Sequence, residues 1–219
     1  MSRNEVPAPP NPFTVVVHSK RLPKGTPLHR IYSRDYPGNT FNPSHIKLNR
    51  FSPLFNRGDV VPVLYAASSQ VGAIYETLFH DAHIKGAKHQ TLPLKALDKL
   101  YGTWITGREL KIATLHAPDL ARWGMTIDQL TATNSMYYPQ TARWAEAIHQ
   151  THPEIEGLEW TSYRAGPDVA WILFGDRVAA RDLQSTGNEV LIRHDATVCN
   201  LVVECGRRVG VRVSRPALP

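Results

Sequence analysis

The chain has 219 residues, of which 42% are hydrophobic and 20% charged. This balance is typical of a globular protein with its own core, and it excludes a disordered or collagen-like chain. The sequence contains neither an 18-residue apolar run nor the apolar segment of a signal peptide, so we expect a cytoplasmic protein without a membrane span.

Positive charge is concentrated in the N-terminal quarter of the chain. The formal net charge is +6, and residues 1–57 hold nine Lys and Arg against two Asp and Glu, whereas the remainder holds 16 against 17. This distribution suits an anion site as well as a nucleic-acid surface. No zinc-finger spacing, RNP-like motif or block of five like charges accompanies it. We therefore rank solubility first as its explanation, a phosphate-bearing small ligand second and nucleic acid third.

The first 12 residues are rich in proline and polar side chains, which predicts a flexible arm. A single domain is then expected over residues 13–219, with a turn-rich loop over residues 34–44. The predicted strands are residues 28–33, 60–67, 110–115, 158–163, 169–174, 189–193, 197–204 and 209–213. The short predicted helices are residues 118–123, 126–132 and 139–150. Because the order is neither a repeated βαβ nor all-β, we predict an α+β fold, a single mixed domain with helices inserted between strands.

The best-defined element is a helix that Ser68 or Ser69 caps and that runs to about Ala82. Glu76 lies roughly 130° from the centre of the apolar stripe of this helix, at about 100° per residue. From periodicity alone, the simplest interpretation of Glu76 is a solvated glutamate. The stripe consists of Val71, Ile74, Tyr75, Leu78, Phe79 and Ala82.

Both cysteines, Cys199 and Cys205, are interpreted as core residues. If residues 197–204 form a strand, the two cysteines lie roughly 20 Å apart on one face, at about 3.3 Å per residue, which is beyond disulfide reach.

Familiar nucleotide and metal signatures are absent. The sequence has no GxGxxG motif and no P-loop. His80, His83 and His89 have a loosely metal-like spacing, but no HExxH motif or cysteine pair accompanies them. We interpret them as surface histidines and predict no metal.

Four segments together resemble the RES domain, a family named for an arginine, a glutamate and a serine. The segments are HRIYS at residues 29–33, NRFSP at 49–53, VLYAASSQVGAIYET at 63–77, and WTSYRAG with VAWILFGDR within 160–177. The resemblance covers roughly residues 28–177. It implies an ADP-ribosyltransferase-like β core and the NAD-consuming toxin of a bacterial toxin–antitoxin pair.

The resemblance implies a catalytic set of Arg30, Glu76 and Ser162. Cleavage of the nicotinamide N-glycosidic bond builds an oxocarbenium-like ribose, which the carboxylate of Glu76 would stabilise. Nicotinamide already carries positive charge in NAD, so its departure needs no general acid. Ser162 would orient the ribose or Glu76, because the sequence offers no evident base to make it a nucleophile.

Further residues would bind the NAD substrate. Arg30 and Arg50 match the two family arginines and would pair with phosphates. Tyr65 would stack on the nicotinamide or its ribose. Tyr32 matches an aromatic residue that follows the first arginine. Ser162 also belongs to this binding set, together with Arg164, whose two-residue spacing from Ser162 predicts that both side chains share one strand face.

The acceptor of the ADP-ribosyl group stays open among water, inorganic phosphate and a protein side chain. Many ADP-ribosyltransferases that modify proteins carry a second acid two residues before the catalytic one, where this chain has Ile74. That departure weakly favours a small-molecule acceptor.

The resemblance also implies a cognate antitoxin, and DNA contact is expected only through that partner. An acidic or C-terminal segment of the antitoxin would cover the cleft beside Glu76 and pair with Arg30 and Arg50. Self-association of the chain stays open. The competing hypothesis is a non-enzymatic module that binds nucleic acid or a partner.

Overall fold

The computed structural model describes residues 5–43, 46–80, 82 and 90–215. The strands are β1 Ser19–Leu22, β2 Pro27–Ser33, β3 Leu54–Asn56, β4 Asp59–Val61, β5 Val63–Ala67, β6 Gln90–Leu92, β7 Lys99–Thr106, β8 Leu110–Thr114, β9 Gly157–Thr161, β10 Val169–Phe174, β11 Leu183–Ser185, β12 Val190–Leu191 and β13 Val211–Val213. The α-helices are α1 Gln70–Leu78, α2 Ala117–Arg122, α3 Ile127–Leu130, α4 Tyr138–Thr151 and α5 Ala196–Arg208. This mixture confirms the α+β class predicted from the sequence.

One large mixed sheet organises the described residues. From one edge of the sheet to the other, its strand order is β1-β8-β9-β10-β5-β2-β7-β11, and β12 also pairs with β7. Neighbouring strands are antiparallel except β8 and β9, which are parallel. β2 pairs with β7 along its whole length but with β5 at one position, where His29 faces Ala67. The sheet therefore opens between β2 and β5.

Helices cover one face of the sheet in two groups. Residues of α2, α3 and α4 pack on the half that contains β9 and β10, around Trp144 and Leu158. Residues of α1 and α5 pack on the half that contains β2 and β7, around Ile74 and Val202. Strand alternation sends Leu64 to the opposite face, where a third apolar cluster lies.

Helix α1 confirms the predicted cap but ends earlier than predicted. Ser69 has extended backbone angles, and its hydroxyl accepts a hydrogen bond from the Gly72 N–H at 2.9 Å. The helix ends at Leu78 rather than near Ala82. Phe79 leaves the helical conformation as the C-cap and is buried close to Gly206 of α5, where a Cβ would lie 3.2 Å from the Phe79 ring.

The predicted strand over residues 60–67 is two strands, β4 and β5, separated by Pro62. Proline has no N–H for a sheet ladder, which explains the interruption. β4 pairs with β3 in a separate hairpin, and β5 enters the large sheet.

The prediction of a strand over residues 197–204 is wrong, because this segment belongs to α5. The Asp195 side chain accepts from the Val198 N–H at 2.8 Å and caps the helix. The buried residues Val198, Cys199, Val202 and Cys205 have helical spacing. Both cysteines are buried in the core, as expected, but they lie six positions apart on a helix, which is about 9 Å along its axis rather than 20 Å.

Other strand predictions were too long, among them residues 209–213, of which only Val211–Val213 form a strand. The segment 189–193 contains only the two-residue β12, followed by a single 3₁₀ turn, Ile192–His194. The segment 158–163 ends as a strand at Thr161, and a turn follows. Ser162 and Arg164 therefore do not share a strand face.

Part of the N-terminal segment lies against the domain. Residues 5–12 form no helix or strand, yet Val6 is buried in the cluster that contains Trp144. The indole Nε1 of Trp144 donates to the Pro7 carbonyl at 2.7 Å. This part of the predicted arm therefore contributes to the core.

Among the described residues, no helix has the length and apolar character needed to cross a bilayer. No group of three or more His, Cys, Asp or Glu in this part of the chain is arranged to hold a metal. His83 and His89, with Ser44 at the end of the predicted loop, lie outside the described residues.

Candidate active site

Arg30 lies where the sheet opens. Because β5 pairs with β2 only at Ala67, two residues further along the chain, the Tyr65 carbonyl has no described partner strand on that side. The Arg30 side chain fills this role, since its Nε donates to the Tyr65 carbonyl at 2.9 Å. The guanidinium is thereby fixed at the gap between the two strands.

The remaining nitrogens of Arg30 have no protein hydrogen bond among the described residues. Nη1 is buried and unpartnered. Burial lowers the pKa of Arg30 to about 10, and neighbouring Tyr32 opposes this effect. A buried donor without a partner is costly and uncommon in folded proteins. An anion bound at the gap would satisfy it.

Glu76 and Ser162 meet across two elements. Glu76 lies on α1 outside the buried stripe and is half-buried, whereas Ser162 is buried directly after β9. The Ser162 hydroxyl donates to Glu76 Oε1 at 2.6 Å. No described residue bonds to Glu76 Oε2. One carboxylate oxygen is thus held by the protein, and the arrangement leaves the other for a ligand.

The backbone after β9 explains the position of Ser162. The Ser162 N–H donates to the Asp168 carbonyl at 2.8 Å and closes a turn before β10. The Asp168 side chain accepts hydrogen bonds from the hydroxyls of Ser69 and Ser68, the former being the cap of α1. The same turn therefore positions Ser162 and anchors the start of the helix that carries Glu76.

Tyr65 links β5 to the segment that contains Arg50. Its hydroxyl accepts from the Phe51 N–H and donates to Ser52 Oγ, both at 3.2 Å. Its ring makes an edge contact with Trp160 at 6.3 Å between centroids. Burial raises the pKa of Tyr65 to about 12, so its hydroxyl stays a hydrogen-bond donor at neutral pH.

Arg50 is held by α4 and the loop before it. Its Nη1 donates to the Thr133 carbonyl at 3.2 Å, and its guanidinium carbon lies 5.5 Å from the centre of the Tyr138 ring. The Arg50 carbonyl accepts from the Thr141 hydroxyl. Arg50 thus approaches the Tyr65 side of the site, and its charge acts to lower the pKa of the Tyr65 hydroxyl.

Tyr32 and Arg164 occupy supporting positions. Tyr32 is buried, and its ring centre lies 5.4 Å from the guanidinium carbon of Arg30. Arg164 lies in the turn after Ser162, and its Nη2 donates to the Ala82 carbonyl at 2.5 Å. Arg164 therefore ties this turn to the chain beyond α1, and no described contact joins it to Glu76 or Arg30.

Two contact residues were missed by sequence reasoning. Ser52 bonds to the Tyr65 hydroxyl, and Glu189 accepts from the Tyr32 hydroxyl. Ser52 belongs to the NRFSP segment, so its neighbourhood was a usable signal. Glu189 is 157 residues from Tyr32 in the chain, and no local pattern marks it.

Comparisons with known proteins identify the family of this chain. Residues 27–192 match the RES domain. The chain therefore belongs to the RES domain family. No curated protein matches it.

One solved structure with a similar fold is the crystal structure of the M. tuberculosis MbcT–MbcA toxin–antitoxin complex. The similarity has a TM-score of 0.56 at 15% sequence identity and covers 78% of this chain and 85% of that chain. At this identity the likeness is one of fold.

Proposed function

We propose that this protein is an NAD-consuming toxin that cleaves the nicotinamide N-glycosidic bond and is neutralised by a cognate antitoxin. The observation that carries the proposal is the 2.6 Å hydrogen bond from Ser162 to Glu76. The resemblance pairs a serine and a glutamate in one site, and they meet here from positions 86 residues apart. A carboxylate oriented in this way is the group that an oxocarbenium-like transition state requires.

Arg30 supports the phosphate part of the proposal. Its Nε is used to hold the side chain, while both terminal nitrogens lack protein partners among the described residues. A guanidinium fork of this kind matches the geometry of a phosphate. Arg50, at the other side of Tyr65, supplies a second cation for the diphosphate.

Water or inorganic phosphate is the proposed acceptor. Ile74, two residues before Glu76, is completely buried in the core between α1 and the sheet. A second acid at this helical position would also face the core rather than a protein substrate. Helix α1 therefore presents one acid, Glu76, which suffices for attack by a small nucleophile.

Several cations of the N-terminal region pair with other residues of the protein, which weakens the nucleic-acid alternative. Lys20 pairs with Glu159 at 2.7 Å, and Arg21 pairs with Glu109 at 2.7 Å. Arg30 donates to the Tyr65 carbonyl, and Arg50 donates to the Thr133 carbonyl. These four cations contribute less to a free basic surface than the sequence count indicates.

The cognate antitoxin is proposed to act on the same site. The MbcT–MbcA structure, which is similar in fold, is a toxin–antitoxin complex. An acidic or C-terminal segment that pairs with Arg30 and Arg50 would compete directly with the phosphates of NAD. Inhibition by such a partner should therefore weaken as the NAD concentration rises.

Turnover of NAD by the purified chain tests the proposal. We expect release of nicotinamide, with ADP-ribose as co-product if water is the acceptor and a phosphorylated ADP-ribose if inorganic phosphate is. Glu76→Gln should lower the rate at least about a hundredfold, because a preorganised charge is lost. Mass spectrometry of the products, with and without phosphate, measures both points.

Glu204→Gln is the matched control, since Glu204 is an exposed helical glutamate that pairs with Arg207. This variant should keep wild-type turnover. Equal rates for Glu76→Gln and the wild type would contradict the catalytic role of Glu76. Absence of nicotinamide release by the wild-type chain, freed of any partner, would contradict the proposed function.

A further inference from the structure

We propose that Glu189 is a positioning residue of the anion site, which holds Tyr32 against the Arg30 guanidinium through the Tyr32 hydroxyl. This inference deepens the proposed function and rests on it for the kinetic measurements described below. The structural measurement is independent of NAD.

Arg30 and Tyr32 share one face of β2 because side chains alternate along a strand. The guanidinium carbon of Arg30 lies 5.4 Å from the centre of the Tyr32 ring, within the range of a cation–π contact. The ring therefore forms one wall against which the guanidinium rests, while the Tyr65 carbonyl holds Nε. Movement of the ring would release Arg30 on that side.

The Tyr32 hydroxyl donates to Glu189 Oε1 and so fixes the ring at its far end. Tyr32 is buried, and burial together with Glu189 raises the pKa of its hydroxyl. The phenol consequently stays protonated and keeps its donor role at neutral pH.

The segment that carries Glu189 is itself anchored on β7. The Asn188 side chain accepts from the Thr103 N–H at 2.8 Å and donates to the Thr103 hydroxyl at 3.0 Å. The Thr186 hydroxyl donates to the Thr103 carbonyl at 2.8 Å. Because β11 and β12 both pair with β7, the intervening turn is held at both ends. Glu189 is thus presented from a fixed backbone.

Gly102 leaves the space that this contact needs. A Cβ on Gly102 would lie 2.8 Å from the Glu189 side chain and 3.0 Å from the Tyr32 hydroxyl. Such distances are too short for ordinary contacts, so a larger residue would displace the pair. A glycine inside a strand weakens the strand. Such a glycine often marks a place where other groups approach the backbone closely.

A carboxylate that acts on Arg30 through Tyr32 has an advantage over one that contacts Arg30 itself. Among the described residues, no carboxylate contacts Arg30. A direct salt bridge would occupy the terminal nitrogens of the guanidinium and compete with an anionic ligand. Glu189 instead acts through Tyr32, so the side chain is oriented while its terminal donors stay available for phosphate.

Steady-state kinetics on Glu189→Ala, Tyr32→Phe and the double variant test the coupling. Each single variant should raise the KM for NAD about tenfold, while kcat changes much less. The coupling energy between two residues in contact typically corresponds to about a tenfold change in affinity. The double variant should be no worse than either single one. Glu189→Gln keeps an acceptor for the hydroxyl and should restore KM to within about twofold of the wild type.

Additive losses in the double variant, or a Glu189→Gln variant as impaired as Glu189→Ala, would overturn the proposal. Glu204→Ala, which removes an exposed glutamate on α5, serves as the control and should leave KM and kcat unchanged. Thermal midpoints of all variants show whether any loss is simply unfolding.

An NMR measurement on the arginine Nε–H groups separates this inference from the NAD chemistry. The Arg30 Nε–H, assigned by its loss in Arg30→Lys, should exchange slowly with water because it is bonded to the Tyr65 carbonyl. Glu189→Ala should speed this exchange, and Glu204→Ala should not. If exchange responds in a chain that does not cleave NAD, the proposed function fails and the positioning role stands. If Glu189→Ala leaves both the exchange rate and the KM unchanged, the positioning role is refuted and the proposed function stands.

Discussion

At the scale of single residues, Arg30 is held at a cost in stability that its proposed role in binding an anion would explain. Lowering its pKa from 12.5 to about 10 corresponds to about 3 kcal/mol of less favourable charging in the folded chain. This cost remains although the neighbouring Tyr32 already opposes the effect of burial. A bound anion would offset it.

We therefore expect Arg30→Met to keep or raise the thermal midpoint of the unliganded chain, because a buried charge is replaced by an apolar side chain of similar length. The same variant should lose NAD binding measured by calorimetry. Arg21→Met, which removes an exposed cation, is the control and should bind NAD normally. Normal NAD affinity together with a large stability loss in Arg30→Met would make Arg30 a structural residue.

At the scale of elements, the start of α1 connects stability with the site. Ser69 caps the helix and also bonds to Asp168, which belongs to the turn that places Ser162. The Glu76 carboxylate and its hydrogen-bond partner consequently depend on one shared anchor. A loss at this anchor should affect the two sides of the site together.

Ser69→Ala should destabilise the protein by about 1 kcal/mol, the typical cost of a lost cap. It should also reduce NAD turnover, because both Glu76 and Ser162 lose part of their support. Asp195→Ala removes the cap of α5 and should cost similar stability without the same loss of turnover. Denaturant unfolding and kinetics on both variants provide the comparison. Equal effects on turnover would show that only global stability matters.

At the scale of the whole molecule, the burial of two histidines predicts how the stability of the protein changes in acid. Burial lowers the pKa of His29 and His149 below 6.5, although Asp168 and Asp176 oppose the effect. Below pH 6.5 the unfolded chain binds protons that these folded histidines do not, so stability falls as pH falls. Above pH 6.5 the two histidines do not lower the stability. Their destabilising effect grows as the pH falls below 6.5 and is complete below their folded pKa values.

Urea unfolding of the wild type should therefore show lower stability at pH 5.5 than at pH 7. His149→Gln should reduce the size of this difference, whatever its effect on stability at pH 7, because one proton-binding group is removed from the unfolded chain. The exposed His194 provides the control, and His194→Gln should leave the difference unchanged. An identical pH dependence in His149→Gln would contradict the assignment.

The proposed toxin role also makes a prediction about the whole molecule in a cell. Expression without an antitoxin should arrest a bacterial host and deplete its NAD, whereas Glu76→Gln at equal expression should be tolerated. Growth curves and cellular NAD measurements test this together. Normal growth and constant NAD under high expression of the wild type would reject the toxin role.

Local sequence patterns were sufficient for the elements whose signals lie within a few residues. The cap at Ser69, the strand after Pro27 and the buried strand β10 follow from side-chain type and periodicity. β7 went unpredicted because Gly102 interrupts its pattern, although this strand pairs with β2 on one side and with β11 and β12 on the other. The segment of α5 was misread because its valines favour a strand, whereas its spacing and its Asp195 cap favour a helix.

The sequence by itself determined the fold class, the family resemblance and the residue types of the candidate site. Only the tertiary structure decided that Ser162 contacts Glu76, that Arg30 bonds to the Tyr65 carbonyl, and that Arg164 bonds to the Ala82 carbonyl. It alone brought Glu189 to Tyr32. The physical reason is that these contacts join segments 35 to 157 residues apart, and their geometry depends on where two strands separate and how a turn closes. Neither property is encoded in a local pattern of side chains.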